Sequence, residues 1–170
     1  LTIKKIIDNK RLVSEKTSSA YQQDFRNIGM TLNDKLSYEE WVDIYKKLVF
    51  WELELEKLDD PQMHEILTMQ KSEANTQFSK FIEEHYLGWV NGKGKAPLLS
   101  NELLKKKAFP LINDNTPVFF ILIDNLRYDQ WKIINPLITE YFRIDEEDTY
   151  SSILPTATQY ARNAIFSGLM

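Results

Sequence analysis

The stretch that most constrains the fold is Pro117 to Trp131, PVFFILIDNLRYDQW. Its apolar residues run unbroken from Val118 to Ile123 and stop at a carboxylate, Asp124. Periodicity alone does not separate a buried strand from a buried helix in so short a run. The aromatic and β-branched content, with Pro117 as a fence, favours a strand covered on both faces, as in a parallel sheet. Ligands of open α/β folds sit beyond the carboxyl ends of such strands, which is where Asp124 falls. The competing reading makes Asp124 the cap of a helix starting near Leu126. On spacing alone the two readings stand level.

A chain of 170 residues has room for one domain or two small ones, and an apolar fraction of 43% is enough for a core. The net charge of −4 offers no basic surface of the kind nucleic acids or membranes select. With no cysteine, disulfides and thiolate metal sites are excluded, which suits a cytoplasmic location. The sequence shows neither a signal peptide nor an apolar run of bilayer length, so no membrane partner is expected. It opens at Leu1 and stops at Met170, and both ends read as cut from something longer. A basic block holding Lys93, Lys95 and Lys105 to Lys107 reads as a solvated linker face.

Residues 1–88 read as an antiparallel helical bundle. A loose stripe of Leu12, Val13, Tyr21, Phe25 and Ile28 predicts the first helix, with a break at Thr17-Ser18-Ser19 and an end in the turn-rich Gly29 to Asp34. Ser37 and Glu40 have the spacing of a capping box. Trp41, Ile44, Tyr45, Leu48, Trp51 and Leu55 then repeat at three and four residues. Asp59-Asp60-Pro61 stops this second helix and starts a third, with Asp60 as cap and Pro61 at the first helical position. Ile66, Leu67, Ala74, Phe78, Phe81, Ile82 and His85 carry the third to Gly88. The two histidines, His64 and His85, lie about six turns apart and cannot share a metal ion within one straight helix. His64 reads as an exposed first-turn residue and His85 as a half-buried one.

Residues 89–115 read as a linker with a short helix, Asn101 to Lys107, capped by Ser100. Gly92-Lys93-Gly94 lacks the flanking strand and the Lys-Ser/Thr ending of a phosphate loop. Asn113-Asp114-Asn115 turns the chain into Pro117. From residue 116 to 170 the expectation is the strand–helix–strand opening of an α/β layer. Leu126, Gln130, Ile133 and Ile134 share a helix that Pro136 ends or kinks, and Tyr141 to Ile144 forms the next strand. Asp145 to Asp148 reads as a solvated acidic turn, followed by an extended segment, Thr149 to Leu154. So short a stretch has too few strands to cover both faces of a buried parallel strand.

The closing run, SSILPTATQYARNAIFSG, puts Thr158 where a helix would begin. A hydroxyl there is either an N-cap or a nucleophile, and physics alone favours the cap. The pair IDNLR, Ile123 to Arg127, and LPTATQYARNAIFSGL, Leu154 to Leu169, resembles the PglZ domain, a branch of the alkaline-phosphatase superfamily. It is also similar to the nucleotide pyrophosphatase/phosphodiesterase branch. On that resemblance Asp124 matches the first metal aspartate and Arg127 the arginine that follows it. Thr158, nine residues before Ser167-Gly168, matches the nucleophile in preference to Thr156. Asn125 departs from the glycine of the diesterase branch, and Ala161 from its substrate-binding asparagine. The whole chain resembles response regulators of PorX type, with residues 1–88 matching the bundle that follows the receiver and residues 116–170 the first third of the enzyme domain.

The resemblance implies a metal-dependent phosphodiesterase or phosphatase serving as output domain of a cytoplasmic two-component regulator linked to type IX secretion. It implies two zinc ions, with Asp124 and Thr158 on one of them, and a phospho-threonine intermediate. The implied partners are a phosphoester substrate, with nucleotides among the candidates, and a sensor histidine kinase acting through a receiver domain outside this chain. Whether the bundle pairs with itself into a homodimer is left open. The remaining ligands are expected from later Asp and His residues, since no histidine follows His85. The alternative is a signalling scaffold in which the bundle binds partners and the catalytic site is degenerate. A helical interaction protein without phosphate chemistry is the blandest reading.

Overall fold

The computed structural model describes residues 2–58, 60–113 and 116–170, with side chains described from residue 15 onward. The chain divides into two compact units, Leu1–Glu84 and His85–Met170.

The first unit is built from three helices: α1, Thr2–Thr31; α2, Tyr38–Leu55; and α3, Pro61–Val90, whose last turns belong to the second unit. Helix α1 runs unbroken through Thr17-Ser18-Ser19. The expected break is absent because serine and threonine inside a helix each cost only a few tenths of a kcal/mol, roughly 0.5 against alanine. The α1 carboxyl end is closed by side chains: Thr31 Oγ1 donates to the Asn27 carbonyl (2.8 Å) and Asn33 Nδ2 to that of Gly29 (2.9 Å). The expected capping box forms in full. Ser37 Oγ accepts from the Glu40 N–H at 3.3 Å, and Glu40 Oε2 accepts from the Ser37 N–H at 2.7 Å. Asp60 caps α3 as expected, its Oδ1 accepting from the N–H groups of Gln62 and Met63. Asp59, Asp114 and Asn115 lie outside the described residues, as do the side chains of Leu12 and Val13.

Helix α3 passes through Gly88 instead of stopping there. Its end comes at Gly92, which takes a left-handed φ of 66°. The Gly92 N–H donates to the Trp89 carbonyl (3.0 Å) and the Lys93 N–H to that of Gly88 (2.8 Å), the two bonds of a Schellman motif.

Pairings across the bundle show antiparallel neighbours. Tyr21 of α1 stacks obliquely on Trp51 of α2, and Trp51 Nε1 donates to Asp24 (3.0 Å). Trp41, near the start of α2, meets Phe78 far along α3. Lys71 reaches Glu52 at 2.6 Å, and Gln70 Nε2 donates to the Phe25 carbonyl of α1. The core takes Tyr21, Ile28, Leu32, Trp41, Ile44, Leu48, Trp51, Leu55, Leu67 and Ala74. Tyr45 and Ile66, expected in the stripes, stand exposed, and Gln70 is buried. Burial pushes the Tyr21 hydroxyl up to about 12.

The second unit holds α4, Tyr128–Thr139, and α5, Thr158–Ser167. The expected short helix at residue 101 is a run of irregular turns: 3-10 at Ser100–Glu102, π at Leu104–Ala108 and 3-10 again at Phe109–Leu111. Pro136 lies inside α4 without ending it.

The strand–helix–strand expectation is met only in its helix. Among the described residues, residues 118–123 and 141–144 pair with no strand, and the β contacts are isolated bridges, Leu99 with Ser151 in parallel and Asn113 with Thr116. The apolar run is exposed, not buried on both faces, with Phe119 at 84% and Ile121 at 79%. A strand is not made by its own residues: its N–H and C=O groups need a neighbour, and a parallel neighbour comes from far along the chain. No described helix is long and apolar enough to cross a membrane.

The capping box yields a prediction in two parts. Ser37→Ala should cost about 1 kcal/mol in chemical denaturation. The backbone N–H and hydroxyl of Ser37 hold the Glu40 carboxyl below the ordinary glutamate range. Its contribution is therefore present above the unfolded pKa and lost as pH falls through the lower folded value. Glu40→Gln should accordingly be less stable than the parent near neutrality, and denaturation midpoints should converge in strong acid.

Candidate functional site

The segment leading to α5 is anchored by its own backbone N–H groups. Ser151 donates to the Leu98 carbonyl at 2.7 Å. Ile153 donates to the hydroxyl of Ser100 at 3.1 Å, and Leu154 to the hydroxyl of Tyr86 at 2.7 Å. Ser100 is fully buried and Ile153 nearly so. Ser100 was expected to cap a helix; its hydroxyl instead serves the neighbouring segment, and no side chain caps the turn it begins. Tyr86, in the last turns of α3, carried no sequence signal for this role.

Helix α5 starts just beyond Pro155. Its cap position is Ala157, extended at φ −61° and ψ 136°, with no side chain to bond the helix N–H groups. Thr158 is the first helical residue, so the N-cap reading does not hold. It is exposed, and among the described residues its hydroxyl bonds to no protein group. Ala164 and Ile165 are the buried residues of α5, and Phe166 meets Phe120 edge to face at 6.1 Å. The helix ends at Gly168 in a left-handed turn (φ 69°), its N–H bonded to the Ala164 carbonyl at 3.0 Å.

Asp124 and Asn125 form the turn that closes the apolar run. Asn125 sits at φ 57°, a conformation open to glycine and, among other residues, best tolerated by asparagine. Asp124 caps no helix: α4 begins at Tyr128, and its cap position is Arg127, whose N–H donates to Gln130 Oε1 at 3.0 Å. The carboxylate of Asp124 instead faces Arg162 of α5, with Oδ2 3.8 Å from Nη1. Arg162 follows Thr158 by four residues, so the two share a helix face about 6 Å apart along the axis. The contact brings Asp124 to Arg162, which stands one helical turn beyond Thr158.

Arg127, the other sequence-matched residue, turns away from this carboxylate. Its guanidinium grips Asp129 through Nε (3.0 Å) and Nη2 (2.6 Å), which holds the Asp129 carboxyl below its ordinary range. The acidic run is more than a solvated turn. Glu147 accepts from Trp131 Nε1 (2.8 Å) and Lys132 (2.9 Å), while Lys107 spans Glu146 (2.6 Å) and Asp148 (2.8 Å). Hydrogen bonds to these carboxylates raise the pKa of both lysines.

Asp124 and Thr158 offer two of the oxygen donors a zinc ion takes. Among the described residues no three His, Asp or Glu side chains converge to complete a site. Two oxygen donors by themselves are too few for a zinc site, which takes four ligands. The histidines lie elsewhere: His85 is half-buried against Trp89 as expected, and His64 is half-buried, not exposed. His64 lines a groove of about 850 Å³ along α2 and α3 with Glu52, Glu56, Lys71, Lys80 and Glu83.

Residues 11–90 are similar to the PorX response regulator linker domain, and residues 103–170 to the BREX system PglZ alkaline phosphatase-like domain, each by a match to the family model. The resemblance to the PglZ domain read from IDNLR and LPTATQYARNAIFSGL, and that of the whole chain to PorX-type regulators, are borne out. A search of curated proteins found no match.

Two substitutions probe the architecture. Ser100→Ala leaves the buried Ile153 N–H without a partner and should cost about 1–3 kcal/mol, read from the denaturation midpoint. Asn125→Gly should be nearly neutral, whereas Asn125→Val forces a β-branched residue to positive φ and should cost about 1–2 kcal/mol.

Proposed function

We propose that this chain joins a response-regulator linker to the opening part of a phosphoric-ester hydrolase, with Thr158 as nucleophile and Asp124 as a metal ligand. The observation that supports this most is the exposed Thr158 hydroxyl, bonded to no protein group, on the α5 face whose Arg162 meets Asp124. The matches to a response regulator linker and an alkaline phosphatase-like domain support the wider setting. In that setting the enzyme is the cytoplasmic output of a two-component system, driven by a sensor histidine kinase through a receiver and connected to type IX secretion. Residues 118–123 are then a strand of its α/β layer, and the bundle is the surface on which two copies pair.

In the proposed reaction the threonine oxygen bonds to phosphorus as the P–O bond to the leaving group breaks. The hydroxyl proton passes to solvent, and the departing alkoxide takes one up. Water then splits the phospho-threonine and restores the hydroxyl. Zinc held with the help of Asp124 and Thr158 would lower the pKa of an oxygen bound to it.

The test uses the full-length protein, zinc and a 4-nitrophenyl phosphodiester. Thr158→Ala should abolish turnover, Thr158→Ser should keep part of it, and mass spectrometry after rapid acid quench should find phosphate on Thr158. Undiminished turnover by Thr158→Ala would refute the nucleophile. Residues 1–170 alone, holding one corner of a metal site, should bind zinc weakly in calorimetry and hydrolyse the ester poorly.

A further inference from the structure

Arg162 stands where a site built only to bind metal would not place a cation. Its Nη1 lies 3.8 Å from Asp124 Oδ2, an ion-pair contact too long for a hydrogen bond, and both side chains are about half exposed (51% and 53%). A positive charge beside a carboxylate repels any cation that the carboxylate is to hold. That arrangement is useful only if an anion is to be held as well. The guanidinium suits such a task, because its planar fork of N–H donors matches the spacing of phosphate oxygens.

The contrast with Arg127 sharpens the assignment. Arg127 is the arginine that sequence matching singles out, yet its guanidinium is bound at two points by Asp129. Among the described residues Arg162 has no such partner; its one ion-pair contact is the loose one to Asp124. It also shares a helix face with Thr158, one turn away. An arginine so placed can release Asp124 and reach an oxygen on a phosphorus poised at the threonine.

We propose that Arg162 is the phosphate-binding residue of the Thr158 site, holding a non-bridging oxygen of the phosphoester while Thr158 attacks. The substrates it selects carry a free anionic oxygen on the reacting phosphorus, as phosphodiesters and phosphomonoesters do. The assignment rests on the reading of Thr158 and Asp124 proposed above, and the experiment separates the two.

The experiment is calorimetric titration of the full-length protein, with zinc present, using inorganic phosphate as probe; zinc binding is titrated separately. Arg162→Ala should weaken phosphate binding at least tenfold and Arg162→Lys by less, because an ammonium keeps the charge without the fork. Zinc binding should be unchanged or tighter in both, since a competing cation has been removed or made smaller. Unchanged phosphate affinity in Arg162→Ala overturns the proposal. So does a parallel loss of zinc and phosphate binding, which would make Arg162 a support for Asp124 alone, and so does a parent protein that binds no phosphate. Thr158→Ala decides the underlying reading by itself: it should lose turnover and keep phosphate binding. Full turnover in that variant sinks the nucleophile while leaving the phosphate result for Arg162 to stand on its own.

Discussion

The arrangement of the second unit depends on where the extended segment before α5 sends its backbone N–H groups. Ser151, Ile153 and Leu154 donate to the Leu98 carbonyl, the Ser100 hydroxyl and the Tyr86 hydroxyl. The buried N–H of Ile153 would be costly without its acceptor, so Ser100 above all fixes the path of the chain just ahead of Pro155. The path in turn fixes where α5 begins. Thr158 is exposed at the head of a helix because the residues before it are held and the residues after it, Ala164 and Ile165, are buried.

Electrostatics then refines what packing has placed. Most ion pairs of this unit are exposed, and such pairs contribute little to stability. Their value here lies in which cations they occupy. Asp129 engages Arg127, the carboxylates of residues 146–148 engage Lys107 and Lys132, and Arg162 is left opposite Asp124. The charge pattern around the candidate site follows from this sorting more than from the net charge of the chain.

The bundle was legible because its signals are local. A capping box needs only Ser37 and Glu40, and an Asp-Pro start needs only Asp60 and Pro61; both formed as their spacing predicts. The errors there concern signals read too literally. Thr17-Ser18-Ser19 and Gly88 weaken a helix without ending it, and Pro136 is accommodated inside α4. At the site, type and spacing left Asp124 and Thr158 as caps or chemistry, and only the family resemblance singled them out. Arg162 could have been noticed as the residue four beyond Thr158, but no periodicity reveals which carboxylate it faces.

By itself the sequence determined the three helices of the first unit and the caps of α2 and α3, because each is encoded in a handful of neighbouring positions. Only tertiary structure decided that Ala157 leaves α5 without a side-chain cap, that Tyr86 and Ser100 hold the approach to it, and that Arg162 meets Asp124. The apolar residues 118–123 show the divide most plainly. Their composition is that of a buried strand, yet a strand exists only when another segment supplies the opposite half of every hydrogen bond, and among the described residues none does.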